Sequence, residues 1–175
     1  MMSNETELLA VAGANERAHA QQYLTFALGG DSYAAGISAI REILEVPSLT
    51  RVPLVPAFVR GVINLRGSVV PVIDLAVRLG LQSTAIDRRT CVAVVEDRAA
   101  GSPGQTLGVV IDSVQEILEI AEHEIEPAPA LGTRIDPAFM RGVAKVNGRL
   151  QVVLDFGRVL AQDELAQIVT AHAAA

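Results

Sequence analysis

Asp74 and Asp155 occupy matching places in two near-copies of one stretch, PAFVRGVINLRGSVVPVIDL from Pro56 and PAFMRGVAKVNGRLQVVLDF from Pro137. One carboxylate per half suggests an aspartic protease, in which two carboxyls share a proton and divide acid and base roles. That chemistry needs a small residue and a glycine after each Asp to bring the carboxyls together. Here the followers are Leu75-Ala76 and Phe156-Gly157. The plainer use of such an Asp is to fix the end of a strand, and that is the expectation for both. Asp155-Phe156-Gly157 also spells the metal-binding triplet of protein kinases, yet no glycine-rich phosphate loop and no HRD catalytic loop accompanies it.

Metal and nucleophile chemistry fare no better. His19, His123 and His172 stand in a tail, a polar connector and a terminal helix, with no second ligand at metal spacing. The run AEHEIEP lacks the glycine turn and alternating oxygen ligands of a calcium loop. No metal or other cofactor is expected. The single Cys91, in TCVAVVE, cannot form an internal disulfide and reads as a buried small hydrophobe suited to a reducing compartment.

A formal charge of -6, with no Lys/Arg run interleaved with aromatics, argues against capture of nucleic acid or an anionic membrane. Half of the 175 residues are apolar and only 3% aromatic, a globular composition. No apolar run approaches the roughly 18 residues of a spanning helix, and the start MMSNETELLAVAG is acidic, unlike a secretory signal. The cytoplasm is the expected compartment.

The elements that carry these residues are short. QYLTFAL alternates, with Leu24, Phe26 and Leu28 on one face, and Gly29-Gly30-Asp31 turns it into SYAAGI. The same hairpin returns as CVAVVED, the loop RAAGSPGQ, and TLGVVI; SAIREILEV then corresponds to DSVQEILEI, matching Ile40 with Val114 and Glu42 with Glu116. Asp112 followed by Gln115 has the spacing of a capping box and predicts one helical turn. Asp136-Pro137 predicts a second brief helix, which Gly142 can end. Asn147-Gly148 predicts a two-residue type I′ hairpin turn, and Gly67 and Gly61, with Gly142, are read as turn glycines of the same plan. Pro71 suits an edge or bulged strand. After the cap candidate Asp163 a terminal helix is expected, its end at 166–175.

Short strands with turn signals every eight to twelve residues, twice over, predict an all-β fold of two small barrels following a loose tail over residues 1–21. Barrels of this size have little interior room, so binding belongs on the outside or between them.

The order IREILEV, RVPLVPAFVRG, GVINLRGSVVPVIDL closely resembles the signature of CheW-like domains, the coupling proteins of bacterial chemotaxis, over residues 22–165. The resemblance implies two five-stranded SH3-like barrels and a non-enzymatic adaptor, bridging the cytoplasmic tip of a chemoreceptor to the regulatory domain of the histidine kinase CheA. It further implies partner binding in the groove between the barrels, through Ile40, Glu42, Arg66, Thr90, Cys91, Val92, Gly108 and Val114, with Glu42 and Arg66 foremost. Ala76 departs from the arginine often found after the Asp-Leu pair, which puts one surface contact in doubt.

Arg66 is also reached without the resemblance. If the copies share a hairpin geometry, the residue before each glycine needs φ > 0, which Asn147 tolerates and an arginine does not favour. A residue that breaks a local rule its duplicate obeys is expected where function chose it. The opposing reading is a different turn, with Arg66 pairing structurally with Glu42. Two other functions compete: a hydrolase with the Asp74/Asp155 dyad, and an SH3-like module for Pro-rich peptides, whose aromatic groove is hard to build from Tyr23, Tyr33 and four Phe.

Overall fold

The computed structural model describes residues 20–97, 105–128 and 134–160. The tail up to residue 19, the loop after Asp97 and the helix expected from Asp163, with its end at 166–175, lie outside the described residues. β1 (Ala20–Leu28) opens two residues inside the stretch read as tail and forms the expected hairpin with β2 (Asp31–Gly36). A 3₁₀ turn, Ile37–Ala39, leads to β3 (Ile40–Glu45), then to the hairpin of β4 (Val59–Leu65) and β5 (Ser68–Asp74) and the helical turn Leu75–Arg78. The second half runs β6 (Cys91–Asp97), β7 (Gln105–Ile111), β8 (Ser113–Ala121), the 3₁₀ turn Glu122–Glu124 and β9 (Ile125–Glu126). The 3₁₀ turn Pro137–Phe139, β10 (Met140–Val146), β11 (Arg149–Leu154) and the helical turn Phe156–Leu160 complete it.

The fold is all-β, in two SH3-like barrels, but neither barrel is one copy of the repeat. One sheet has the order β8-β1-β2-β11-β10-β9, the other β3-β6-β7-β5-β4. Each copy therefore gives its first hairpin to the other copy's barrel. The exchange is sealed by the only parallel pairings among the described residues, β2 with β11 and β5 with β7. Nothing local encodes it, because either hairpin could pair with its own copy by the same alternation.

Three apolar clusters follow from this plan. Tyr23, Ala34, Ile120, Ala144 and Val153 fill one barrel, and Ile63, Val70, Val72, Val92 and Val110 fill the other. The largest cluster, including Phe26, Leu28, Ile73, Val95, Leu107 and Leu154, draws on both sheets and holds the barrels together. β1 is accordingly buried on both faces, Tyr23 toward one cluster and Phe26 toward another, so the one-sided pattern expected for QYLTFAL does not describe it. A bulge between Leu24 and Phe26, where Thr25 Oγ1 donates to the Glu116 carbonyl and accepts its N–H, lets the strand serve both.

Several local expectations are corrected. Asp112 opens no helix: β8 follows at once, and the carboxylate of Asp112 and the amide of Gln115 are engaged by residues far along the chain, Gly29, Thr84 and Ser32. Gly61 and Gly142 are not turn residues but lie inside β4 and β10 at matching bulges. A Cβ on Gly61 would run into the Thr50 carbonyl, and one on Gly142 into the Glu126 carbonyl. These are the crossings where each barrel closes, through the bridge of Thr50 to Val62 and the pairing of Val143 with Glu126. Pro71 sits in a central strand, tolerated because the pairing of β5 to β7 begins one residue later, at Val72. Asp136 caps its 3₁₀ turn as expected, accepting from the Ala138 N–H at 2.9 Å, but that turn ends at Phe139.

Candidate functional site

The two hairpin tips can be compared directly. Asn147 has φ 53° before Gly148 at 75°, and Arg66 has φ 50° before Gly67 at 87°. The turns are the same, so Arg66 does hold a conformation that its duplicate fills with asparagine. Asn64, one position before Leu65, helps to fix the tip by accepting the Gly67 N–H at 2.9 Å.

Arg66 is also paired. Its Nη1 and Nη2 donate to Oε1 and Oε2 of Glu42, both at 2.9 Å, the parallel two-bond fork that guanidinium and carboxylate form best. The ion pair raises the Arg66 pKa further above its ordinary value, first through this hydrogen bond and then through the Glu42 charge. Glu42 belongs to β3 and Arg66 to the tip of β4–β5; β3 and β4 are the two ends of their sheet. The fork therefore bridges the seam where the barrel closes, with the Arg66 side chain still 74% exposed. In the other half Glu116 is exposed opposite an asparagine tip, and no ion pair joins them among the described residues.

The remaining residues of the implied groove divide by burial. Ile40 is half-buried beside Glu42 on β3, Cys91 is half-buried at the start of β6, and Val114 is exposed on β8. Cys91 is not the buried hydrophobe expected: it is half-buried, and its Sγ reaches the Arg89 carbonyl at 3.3 Å. Partial burial, then the Glu45 charge on the neighbouring strand, raise its pKa. Thr90, Val92 and Gly108, in contrast, present no side chain to a partner. Val92 is wholly buried in a barrel interior. Thr90 is buried and ties its loop together, accepting the Asp87 N–H at 2.9 Å. Gly108 is where β7 passes close to its neighbours, since a Cβ there would come within 2.9 Å of Val92 Cγ1 and 3.1 Å of Val72 Cγ2.

The carboxylates considered for catalysis have structural work. Asp74 is fully buried at the end of β5, where Oδ2 accepts from Ser83 Oγ at 2.6 Å and Arg60 Nη1 at 3.2 Å and Oδ1 accepts the Val77 N–H at 3.4 Å. Asp155 follows β11 of the other sheet and accepts the Arg158 N–H at 3.2 Å, capping the helical turn that contains Phe156. The dyad and the kinase-like triplet are thus two strand-end caps. All six aromatic residues are buried or half-buried, which leaves no exposed aromatic groove for Pro-rich peptides. His123 is exposed on a 3₁₀ turn, while His19 and His172 lie outside the described residues.

Sequence reasoning missed a polar chain beside this surface. Arg60 Nη1 donates to Asp74, Ser83 Oγ and the Thr84 carbonyl, and Thr84 Oγ1 donates to Asp112 Oδ1 at 2.7 Å. Partners so distant in sequence carry no local signal.

With this geometry in place, comparison with known proteins is specific. Residues 22–164 match the family model of the CheW-like domain. The chain is similar to the chemotaxis protein CheW of Klebsiella aerogenes, at 32% identity over 85% of this chain and 86% of that protein. It is similar to the one of Helicobacter pylori, at 34% over 81% and 82%. Among solved structures it resembles the scaffolding protein TtCheW of Thermoanaerobacter tengcongensis, with TM-score 0.73 and 31% identity over 83% of this chain and 90% of that one.

Proposed function

The chain belongs to the family of CheW-like domains and is a coupling adaptor of chemotaxis signalling; from that premise we propose that it holds the cytoplasmic tip of a chemoreceptor and the regulatory domain of the histidine kinase CheA together. It does this as a scaffold, without catalysis or cofactor, in the cytoplasm. Binding runs through the exposed or half-exposed set Ile40, Glu42, Arg66, Cys91 and Val114. Thr90, Val92 and Gly108 shape the strands beneath. The observation that carries the reading is Arg66: an exposed arginine kept in left-handed backbone where the duplicate turn uses asparagine, its fork aligned by Glu42. A planar donor fork held ready at the surface is the kind of group that anchors protein interfaces. The use of Asp74 as a buried cap supports the absence of a hydrolytic dyad. No helix among the described residues is long and apolar enough to cross a membrane.

The test is reconstitution. Receptor tips displayed on beads should retain the kinase regulatory domain when this chain is added, and not when it is omitted. The double exchange of Glu42→Arg with Arg66→Glu keeps an ion pair across the seam but reverses its surface, and it should abolish retention while the protein stays folded. Retention without the chain, or full retention by the exchanged variant, would sink the reading.

A further inference from the structure

Asp112 stands at the one place in the second half where the chain leaves one barrel for the other, between β7 of the five-stranded sheet and β8 of the six-stranded sheet. Its carboxylate reaches in both directions. Oδ2 accepts the N–H of Gly29, in the β1–β2 turn of the six-stranded sheet, at 2.9 Å. Oδ1 accepts from Thr84 Oγ1 at 2.7 Å, and Thr84 is only 7% exposed. Through its own carbonyl Thr84 is held by Arg60 Nη1 at 3.1 Å, and Arg60 is held by the buried Asp74, both of the five-stranded sheet. A continuous polar chain, Asp74 to Arg60 to Thr84 to Asp112 to Gly29, therefore ties one barrel to the other. The matching crossing in the first half carries Ser38, which has no carboxylate to span two segments.

Both segments joined at Thr84 and Asp112 lead directly to the partner surface. From Thr84 the loop is stitched by Thr90 Oγ1 to the Ala85 carbonyl at 3.4 Å and to the Asp87 N–H, so that fixing Thr84 fixes the start of β6 at Cys91. From Asp112 the chain reaches Val114 two residues later, and Ile111, the residue just before Asp112, is the strand partner of Cys91. Resting on the coupling role proposed above, we infer that Thr84 and Asp112 are positioning residues: their hydrogen bond sets the orientation of the two barrels at the starts of β6 and β8, which carry Cys91 and Val114, and so the shape that a partner binds. Neither side chain needs to touch the partner. A buried hydroxyl on a half-buried carboxylate suits this task, because a bond to a charged acceptor is stronger and more directional than a neutral one.

The single cysteine supplies a reading of this geometry that needs no partner. Thr84→Val keeps the shape and removes the donor, Thr84→Ser keeps the donor, and Asp112→Asn perturbs the other end should Thr84→Val fold poorly. The reaction of Cys91 with dithiobisnitrobenzoate under native conditions should accelerate by about tenfold or more in Thr84→Val, the factor expected when a hydrogen bond to a charged group no longer opposes local opening. Thr84→Ser should react at the wild-type rate, Asp112→Asn should be accelerated, and affinity for the receptor tip or the kinase regulatory domain should fall in step with the acceleration. Val153→Ala, which loosens the interior of the six-stranded barrel, gives a variant of comparable stability loss and should leave the Cys91 rate unchanged. A wild-type rate in both Thr84→Val and Asp112→Asn, or equal acceleration by Val153→Ala, overturns the inference. If the wild-type protein binds neither partner while the Cys91 rates behave as stated, it is the coupling role that fails and the positioning that stands.

Discussion

Arg78 donates its Nε–H to the main-chain carbonyl of Val159 at 3.0 Å, and these two residues hold corresponding places in the two halves. The same guanidinium lies 5.1 Å from the ring centroids of Phe58 and of Phe139, which also correspond to one another. The duplication thus has its local symmetry point at Arg78, where one copy uses a cation and the other a valine. A pseudo-symmetric meeting of two equal surfaces places identical groups face to face; one arginine between two phenylalanines resolves this with stacking on both sides.

Replacing Arg78 should weaken the union of the barrels. Two stacked contacts at about 0.5–1 kcal/mol each or more, and a hydrogen bond from a charged donor at about 1.5–3 kcal/mol, give an expected loss of about 3 kcal/mol for Arg78→Ala. Arg78→Lys keeps the charge but not the plane and should fall between. Urea denaturation of the three proteins checks this, and equal midpoints for wild type and Arg78→Ala would show that the sandwich contributes nothing.

Gly61→Ala and Gly142→Ala should each cost about 3 kcal/mol or more, because the new methyl group meets a main-chain carbonyl that cannot move without opening the barrel. Gly67→Asn is the contrast: its φ of 87° strains a side chain, but nothing lies within 4 Å, so about 1 kcal/mol is expected. Thermal melts of all three separate steric closure from turn strain. A mild Gly142→Ala would mean that the crossing at Glu126 is looser than its geometry.

The duplication, the hairpins, the Asn147-Gly148 tip and the Asp136 cap were legible because each is written within a few residues, in alternation, turn chemistry and capping spacing. What escaped was set by partners distant in sequence. The exchange of hairpins between barrels leaves no local trace, since each strand's alternation is satisfied by either partner. Asp112 has the spacing of a cap, but its carboxylate is committed to Gly29 and Thr84, and a strand follows. The site was half legible. Arg66 betrayed itself by breaking a turn rule, whereas the burial of Thr90, Val92 and Gly108 beneath the surface depends on three-dimensional packing that alternation alone does not give.

Cys91 should behave as a retarded thiol. Burial, then the Glu45 charge, hold its pKa above the ordinary thiol value, so the folded protein keeps its proton to higher pH than the unfolded chain does. The sign follows: this contribution to stability is present below the unfolded thiol pKa and is lost as pH rises through the folded one. Alkylation by iodoacetamide should be slower than for the denatured protein at pH 8, with a pH profile displaced to the alkaline side. Glu45→Gln should shift that profile back toward lower pH. A native profile superimposable on the denatured one would mean that the sulfur stands free of both influences.

Arg66→Asn copies the other half's solution onto the first hairpin, and it separates the two tasks of this residue. On the stability side two small effects oppose each other. The fork to Glu42 is lost, but with an arginine side chain 74% exposed it is a solvent-screened surface pair that contributes little. The turn gains a residue that tolerates φ near 50°, which recovers a similar amount. Thermal unfolding should therefore move by no more than about 0.5 kcal/mol in either direction. Binding should respond far more. An amide cannot offer the charged planar fork, and if Arg66 anchors the interface, affinity for the receptor tip or the kinase regulatory domain should drop by about 2 kcal/mol, some thirtyfold. Glu42→Gln is the companion variant: it leaves Arg66 in place but unaligned, and it should weaken binding by less. Titration against each partner beside the melts decides the matter. Unchanged affinity for both partners makes Arg66 a bystander, and a large loss of stability makes the seam ion pair its main task.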